Sequence, residues 1–122
     1  MIRELTEAEV AFDVECHDET LPIRGNCSAI DAVVDRKAEQ WIRNQLRQGN
    51  AWAWCSVKVA AKWKGYEGED WLWCCSYKGE TDFCQPGGYF DDMKAEALAN
   101  LNSELARHAE DLEELRTVGA TP

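Results

Sequence analysis

Five of the six tryptophans of this chain fall in two short stretches, residues 52–63 and 71–77. The stretches read WAWCSVKVAAKW and WLWCCSY, so lysines, cysteines and a tyrosine are interleaved with the indole rings. Indole rings stack on planar groups such as bases, and they supply large contact areas at protein interfaces. The chemistry that these residues favour is therefore noncovalent binding.

The sequence contains no motif of a known catalytic type. It has no G-x-S-x-G, no glycine-rich phosphate loop and no H-E-x-x-H, and neither His17 nor His108 stands in a known motif with a serine or cysteine. The adjacent acids at 91–92 and 113–114 are typical of helix ends and solvent-facing positions. We expect no catalytic residues, no cofactor and a protein that is not an enzyme.

Six cysteines raise the alternatives of disulfides and of a metal site. They are Cys16, Cys27, Cys55, Cys74, Cys75 and Cys84. Structural zinc sites usually take ligands in C-x₂₋₄-C or H-x₃₋₅-H pairs, and neither spacing occurs here. The opening MIRELTEAEVAF carries acids where a secretory signal has a basic flank and a long apolar stretch. We expect reduced thiols, no metal and a cytoplasmic location.

Periodicity predicts the elements that position these side chains. Alternating apolar residues over 10–16 indicate a strand, and apolar positions from Ile30 to Leu46 recur at helical spacing. Ser28 or Asp31 would cap that helix, and its apolar stripe places Trp41 in the core.

Two further strands and a second helix complete the predicted fold. The strands are residues 51–64 and 71–77, joined by a hairpin loop KGYEGED, and the helix runs from about Asp91 to Arg116. The fold class is α+β with the order β-α-β-β-α: a small antiparallel sheet with two helices on one face and a long C-terminal helix. We expect one domain over residues 1–122, with a disordered tail at 117–122.

Strand alternation divides the predicted hairpin into an aliphatic face and an aromatic face. The aromatic face collects Trp52, Trp54, Trp71, Trp73 and Tyr77. Because so large an exposed apolar patch is rare in monomers, we expect a cover. Three covers are open: the loop 79–90 folding back with Phe83 and Tyr89, a second subunit, or a partner. Lys58, Lys62 and Lys64 share that face and favour an alternative function, the binding of a nucleic acid or a small anionic ligand.

The last predicted helix carries a short coiled-coil seam. Its apolar positions, with one histidine among them, are spaced 3, 4, 3, 4, 3: Leu98, Leu101, Leu105, His108, Leu112 and Leu115. A helix of about 26 residues is about 39 Å long, which is longer than a small sheet needs. We expect a homodimer that self-associates antiparallel through Leu105, His108, Leu112 and Leu115.

The net charge of −10 is unevenly distributed. Residues 1–30 and 91–116 are rich in acids, whereas residues 36–64 carry seven basic side chains and one acid. Phosphate contacts supply most of the affinity for nucleic acid, so this composition argues against a general nucleic-acid binder. No apolar run approaches the roughly 20 residues that a membrane helix needs. The acidic ends suit a basic protein surface, or they confer solubility.

Several segments together carry a family resemblance. PIRGN (22–26), GNAWAWCSVKVAAKWKGYEGED (49–70), CSY (75–77) and GGYFDDMKAEAL (87–98) resemble a group of small proteins encoded by tailed bacteriophages and prophages. The chain departs from that group at Trp73 and Cys74, where a glycine is usual before the Cys-Ser-Tyr region. The resemblance implies an accessory protein in a bacterial cytoplasm that binds a host protein, with anti-defence or host takeover as its role.

Overall fold

A computed structural model of the chain describes residues 2–27 and 32–120, and within the two long helices the side chains of residues 35–47 and 89–114. Three strands, β1 (Ala11–Asp18), β2 (Cys55–Trp63) and β3 (Tyr66–Cys75), form one antiparallel sheet in the order β1-β2-β3. Helix α1 (Ala32–Arg47) precedes β2, and α2 (Glu80–Phe83) and α3 (Tyr89–Ala120) follow β3. The predicted α+β class and the order β-α-β-β-α are confirmed, with the single turn of α2 as an addition.

The chain divides into two compact units. Unit 1 comprises Met1–Asp13, Val59–Asp70 and Met93–Pro122, and unit 2 comprises Val14–Lys58 and Trp71–Asp92. The expectation that residues 1–122 form one domain stays a prediction.

In unit 1, helix α3 packs against strand β3 at a glycine. A Cβ atom added to Gly68 would lie 2.2 Å from the backbone nitrogen of Leu101 and 2.4 Å from the carbonyl oxygen of Ala97, so no other residue fits there. Asn102 ties the N-terminal segment to the same helix: its Oδ1 accepts from Leu5 N at 2.8 Å and its Nδ2 donates to Leu5 O at 3.1 Å.

The turn between β2 and β3 is shorter than predicted. The expected loop covered residues 64–70, but the strands are joined by Lys64 and Gly65 alone, with φ of 47° and 83°. Positive φ at both positions is what a type I′ hairpin turn requires, and its twist matches that of the strands. Strand β3 therefore begins at Tyr66 and not at Trp71.

In unit 2, helix α1 packs through Ile42, which is 2 % exposed and lies in one cluster with Ile23, Ala53 and Trp54. The assignment of Trp41 to the core is wrong, because its side chain is 39 % exposed. The buried position on this turn of the helix belongs to the next residue, Ile42. The predicted caps, residues 28 and 31, lie outside the described residues.

Helix α3 extends beyond its predicted bounds at both ends. It begins at Tyr89 and continues to Ala120, so it includes the first four residues of the predicted tail, whereas residues 121–122 lie outside the description. Within the described parts of the chain, no helix combines the length and the apolar character needed to cross a bilayer.

Candidate binding surfaces

The five aromatic residues that we expected on one sheet face are separated in the structure. They occupy three places: the α1 core (Trp54), a cluster around Phe83 (Trp52 and Tyr77) and a stacked pair (Trp71 and Trp73). The prediction of a single aromatic face is wrong for two local reasons. Residues 51–53 form a 3₁₀ turn, so strand alternation does not reach Trp52. The φ of 54° at Cys74 then interrupts the alternation of side chains after Trp73, so the alternation does not extend to Tyr77.

Phe83 forms the centre of an aromatic cluster in unit 2. Its ring is 5.1 Å from that of Tyr77, 5.8 Å from that of Trp52 and 5.7 Å from that of Phe90, and its side chain is only 1 % exposed. Burial raises the pKa of Tyr77 to about 12. The loop after β3 thus covers two of the five aromatic residues, through Phe83. Tyr89, which we expected to take part in the cover, is 61 % exposed.

The remaining pair lies at the surface. The rings of Trp71 and Trp73 are 5.7 Å apart and within 10° of parallel, and the His17 ring is 5.0 Å from that of Trp71. Trp73 is 60 % exposed. Together, His17, Trp71 and Trp73 form the indole surface, on which a further planar group could stack.

Carboxylates lie beside the indole surface. The Glu15 carboxylate is 3.5 Å from His17 Nε2 and 3.5 Å from Lys58 Nζ. Glu19 Oε1 accepts from Ser56 Oγ at 3.2 Å and from Cys74 N at 2.5 Å. Burial alone would raise the pKa of Glu19, but these donors and backbone N–H groups outweigh it and hold the pKa below its usual range. This side of unit 2 therefore carries negative charge that persists at neutral pH.

The lysines do not gather around the indole surface. Lys58 pairs with Glu15, and Lys62 Nζ lies 2.5 Å from Asp13 Oδ2 in unit 1. The Lys64 ammonium sits 4.8 Å from the centre of the Trp63 ring, also in unit 1. All three lysines therefore have other partners, and none of them supplies the unpaired positive charge that a phosphate or another anion would need beside the stacked rings.

All six cysteines are free thiols. Cys55 and Cys75 are buried, whereas Cys74 and Cys84 are half-buried. Burial raises the pKa of Cys75 to about 12 and moves the pKa of Cys55 in the same direction. Protonated thiols are weak nucleophiles and weak metal ligands. Over the residues that the structure describes, no three His, Cys, Asp or Glu side chains are grouped so as to hold a metal ion.

Unit 1 contains an apolar groove of about 420 Å³ along the later turns of α3. Helix residues lining this α3 groove are Leu105, His108, Ala109 and Leu112, and the remaining lining residues are Ile2, Arg3, Leu5, Trp63 and Tyr66. The His108 ring meets the Tyr66 ring edge-on at 5.3 Å. Leu105 is half-buried and Leu112 is 46 % exposed, while the side chain of Leu115 lies outside the described residues.

The sequence predicted only one side of the α3 groove. The heptad spacing identified the helix side, Leu105, His108 and Leu112. It gave no sign of Ile2 or Tyr66, because their approach to α3 is a contact between segments far apart in the chain. The self-association predicted for this seam stays a prediction.

Comparison of the chain with protein-family models, with curated proteins and with solved structures gave no match in any of the three. The binding role proposed below therefore rests on the geometry and charge of the chain's own surfaces, and the phage context rests on the sequence resemblance alone.

Proposed function

We propose that this chain is a non-enzymatic phage accessory protein that acts in the bacterial cytoplasm by binding a host protein, in the service of anti-defence or host takeover. The observation that carries the binding role is the indole surface. A stacked Trp pair with one ring 60 % exposed is the kind of rigid aromatic anchor that dominates protein interfaces.

The charge around the indole surface favours a cationic group of the host protein. A guanidinium or ammonium group over the face of Trp73 would gain a cation–π contact. The ionised Glu19, which accepts from the uncharged donors Ser56 Oγ and Cys74 N, would add a favourable electrostatic term. We infer that an arginine or lysine of the partner lies against the Trp71–Trp73 stack.

The same charges weigh against the alternative of nucleic-acid or anionic-ligand binding. Lys58 and Lys62 are engaged in ion pairs, and Lys64 lies over a different ring, Trp63. An anion at the indole surface would lie near the ionised Glu19, and these three lysines would contribute little unpaired positive charge to it. The alternative therefore has less support than protein binding.

The test is a comparison of three tagged proteins in host lysate by affinity capture and quantitative mass spectrometry: wild type, Trp73→Ala and Trp41→Ala. Trp41 is the matched control, since it is also an exposed tryptophan of unit 2. We expect one host protein to be captured by wild type and by Trp41→Ala, and to be reduced at least about tenfold with Trp73→Ala. With the purified partner, affinity should fall as salt is raised.

Two results would count against this proposal. One is capture of the same host proteins by Trp73→Ala as by wild type, with equal yield. The other is tight, salt-sensitive binding of wild type to a labelled single-stranded oligothymidine that Trp73→Ala abolishes, which would establish the nucleic-acid alternative.

A further inference from the structure

The thiols of Cys16 and Cys55 are neighbours on adjacent strands of unit 2. Cys16 lies on β1 and Cys55 begins β2, and these two strands are paired in the sheet. The side chains of β1 alternate between exposed and half-buried positions, and Cys16 is on the half-buried side. A hydrogen bond joins its side chain to that of Cys55. The strand pairing therefore holds the two sulfur atoms close to each other.

The two thiols differ in their access to solvent. Cys16 is half-buried, whereas Cys55 is only 1 % exposed. An oxidant in solution therefore reaches Cys16 first, and Cys55 is the thiol that shares a hydrogen bond with it. Redox-sensitive cysteines are often accessible thiols that stand next to a second, resolving thiol. The pair has this arrangement.

Cys75 is a third thiol in this part of unit 2, and it is less suited to react with Cys16. Its side chain is only 4 % exposed, and its Sγ donates to the carbonyl oxygen of Leu72 at 3.3 Å. The side-chain hydrogen bond of Cys55 is shared with Cys16, whereas Cys75 influences Cys55 through its charge. Contact and access together therefore select Cys16 and Cys55 as the reactive pair.

We propose that Cys16 and Cys55 form a reversible disulfide when low-molecular-weight disulfides such as oxidised glutathione accumulate around the protein. The Cys16 thiolate attacks one sulfur of oxidised glutathione, which forms a mixed disulfide and releases one glutathione thiolate. The Cys55 thiolate then attacks the Cys16 sulfur and releases the second glutathione thiolate. Two protein thiols are thereby oxidised to one disulfide, oxidised glutathione is reduced, and the two thiol protons end on two glutathione molecules.

The disulfide would join β1 to β2 across the connection 17–54, which is 38 residues long. A crosslink that closes a loop of this length stabilises a fold chiefly by restricting the unfolded chain. Burial raises the pKa of Cys55, so its thiolate is scarce and the second step is slow. The reaction does not depend on the function proposed for the indole surface.

The test treats the full, reduced chain with excess oxidised glutathione at about pH 8, then blocks the remaining thiols and digests the protein with trypsin. Cleavage after lysine and arginine places Cys16 in the peptide 4–24 and Cys55 in the peptide 48–58, and neither peptide contains another cysteine. We expect the crosslink between these two peptides to be the main disulfide within the chain. Dithiothreitol should reverse it.

Two variants and a melting experiment sharpen the test. Cys16→Ser should abolish the crosslink, whereas Cys84→Ser, which removes another half-buried thiol of unit 2, should leave its yield as in wild type. Oxidised wild type should melt about 5 to 15 °C above its reduced form, because the crosslink restricts the unfolded chain. Cys16→Ser treated in the same way should show no such rise.

Three results would overturn the proposal. One is the absence of a crosslink between 4–24 and 48–58, with or without glutathione on Cys16. Another is crosslinking of other cysteine pairs in equal or greater yield. The third is an oxidised form that melts below the reduced protein, which would show that the two thiols are not placed for the bond. The peptide map of wild type needs no substitution, so it decides the question even if Cys16→Ser fails to fold.

Discussion

The contacts that characterise the two units differ: in unit 1 they involve the backbone, and in unit 2 they involve side chains. In unit 1 the backbone of α3 itself reaches Gly68, with no room for a Cβ atom. In unit 2 the core packs through rings, around Phe83, and through side chains, around Ile42. Backbone atoms cannot change rotamer to relieve a clash, whereas side chains can repack in part. Unit 1 should therefore be the less tolerant of an added carbon, and unit 2 the more sensitive to a removed ring.

The two units also differ in charge. Unit 1 carries −7 of the net charge of −10, and unit 2 carries −3 with seven basic residues. The acid-rich unit has the apolar groove, and the more balanced unit has the indole surface.

The largest effect should come from Gly68→Val. Its new side chain would overlap the backbone of α3, so we expect a loss of at least about 5 kcal/mol in the free energy of unfolding, or no cooperative unfolding at all. Urea denaturation followed by circular dichroism measures it. Gly79→Val in unit 2 is the control: nothing lies within 4 Å of its added Cβ, and it should change stability by no more than about 0.5 kcal/mol. Equal effects of the two substitutions would remove the contrast between the units.

Removal of the Phe83 ring should have the next largest effect. Phe83→Ala leaves a cavity beside Trp52 and Tyr77, and we expect it to cost about 3 to 4 kcal/mol in the same assay. Tyr89→Ala, which removes a ring that is 61 % exposed, should cost less than about 0.5 kcal/mol. A loss below about 1 kcal/mol for Phe83→Ala would show that the aromatic cluster contributes little to unit 2.

A smaller and pH-dependent effect is expected for Glu19→Gln. The variant loses charge-assisted hydrogen bonds to Ser56 and Cys74 N, which are worth about 1 to 2 kcal/mol at pH 7. Because the pKa of Glu19 is lowered in the folded protein, this stability is complete above the ordinary glutamate pKa and is lost as pH falls through the lowered value.

Urea unfolding of wild type and Glu19→Gln at several pH values should therefore show curves that converge in acid. Glu80→Gln, at an exposed helix-start position of unit 2, is the control and should show no such convergence. A difference at pH 7 that persists unchanged well below pH 4 would contradict the role of the ionised carboxylate.

The last prediction concerns the reactivity of the thiols of unit 2, and it requires no substitution. At pH 8 in the native protein, Cys55 and Cys75 should react with a disulfide reagent far more slowly than the half-buried Cys84, because burial raises their pKa. In denaturant, six thiols should react. Fewer than six in freshly purified, denatured protein would indicate disulfides or a bound metal.

The elements of the fold were predictable because each one carries its own period. The alternation around β1 and the 3.6-residue spacing before Gly49 each specify one element locally. The two-residue turn was missed although a Lys-Gly pair stands at 64–65, because the second glycine, Gly68, was read as part of a loop. Gly68 is needed instead for the close approach of α3, which is a tertiary requirement that no local pattern contains.

The binding surfaces were predictable only in part. Trp71 and Trp73 lie within one regular strand, so alternation placed them on the same side. The prediction for Trp52 was wrong because a 3₁₀ turn precedes β2. The prediction for Trp41 was wrong because a residue at the edge of an apolar helical stripe can remain exposed. The approach of Ile2 to the α3 groove depends on how the N-terminal segment is tied by Asn102, at a sequence separation of about a hundred residues.

The Lys64–Gly65 turn also bears on the order in which the protein folds. It joins β2 to β3 with the smallest loop that a hairpin allows, so closing it costs little chain entropy, and isolated hairpins form within about 1 to 10 μs. Strand β1 joins β2 only after a connection of 36 residues, from 19 to 54, has been closed. We therefore expect the β2–β3 ribbon near the turn to form before β1 is added, and α3 to pack at Gly68 of that ribbon.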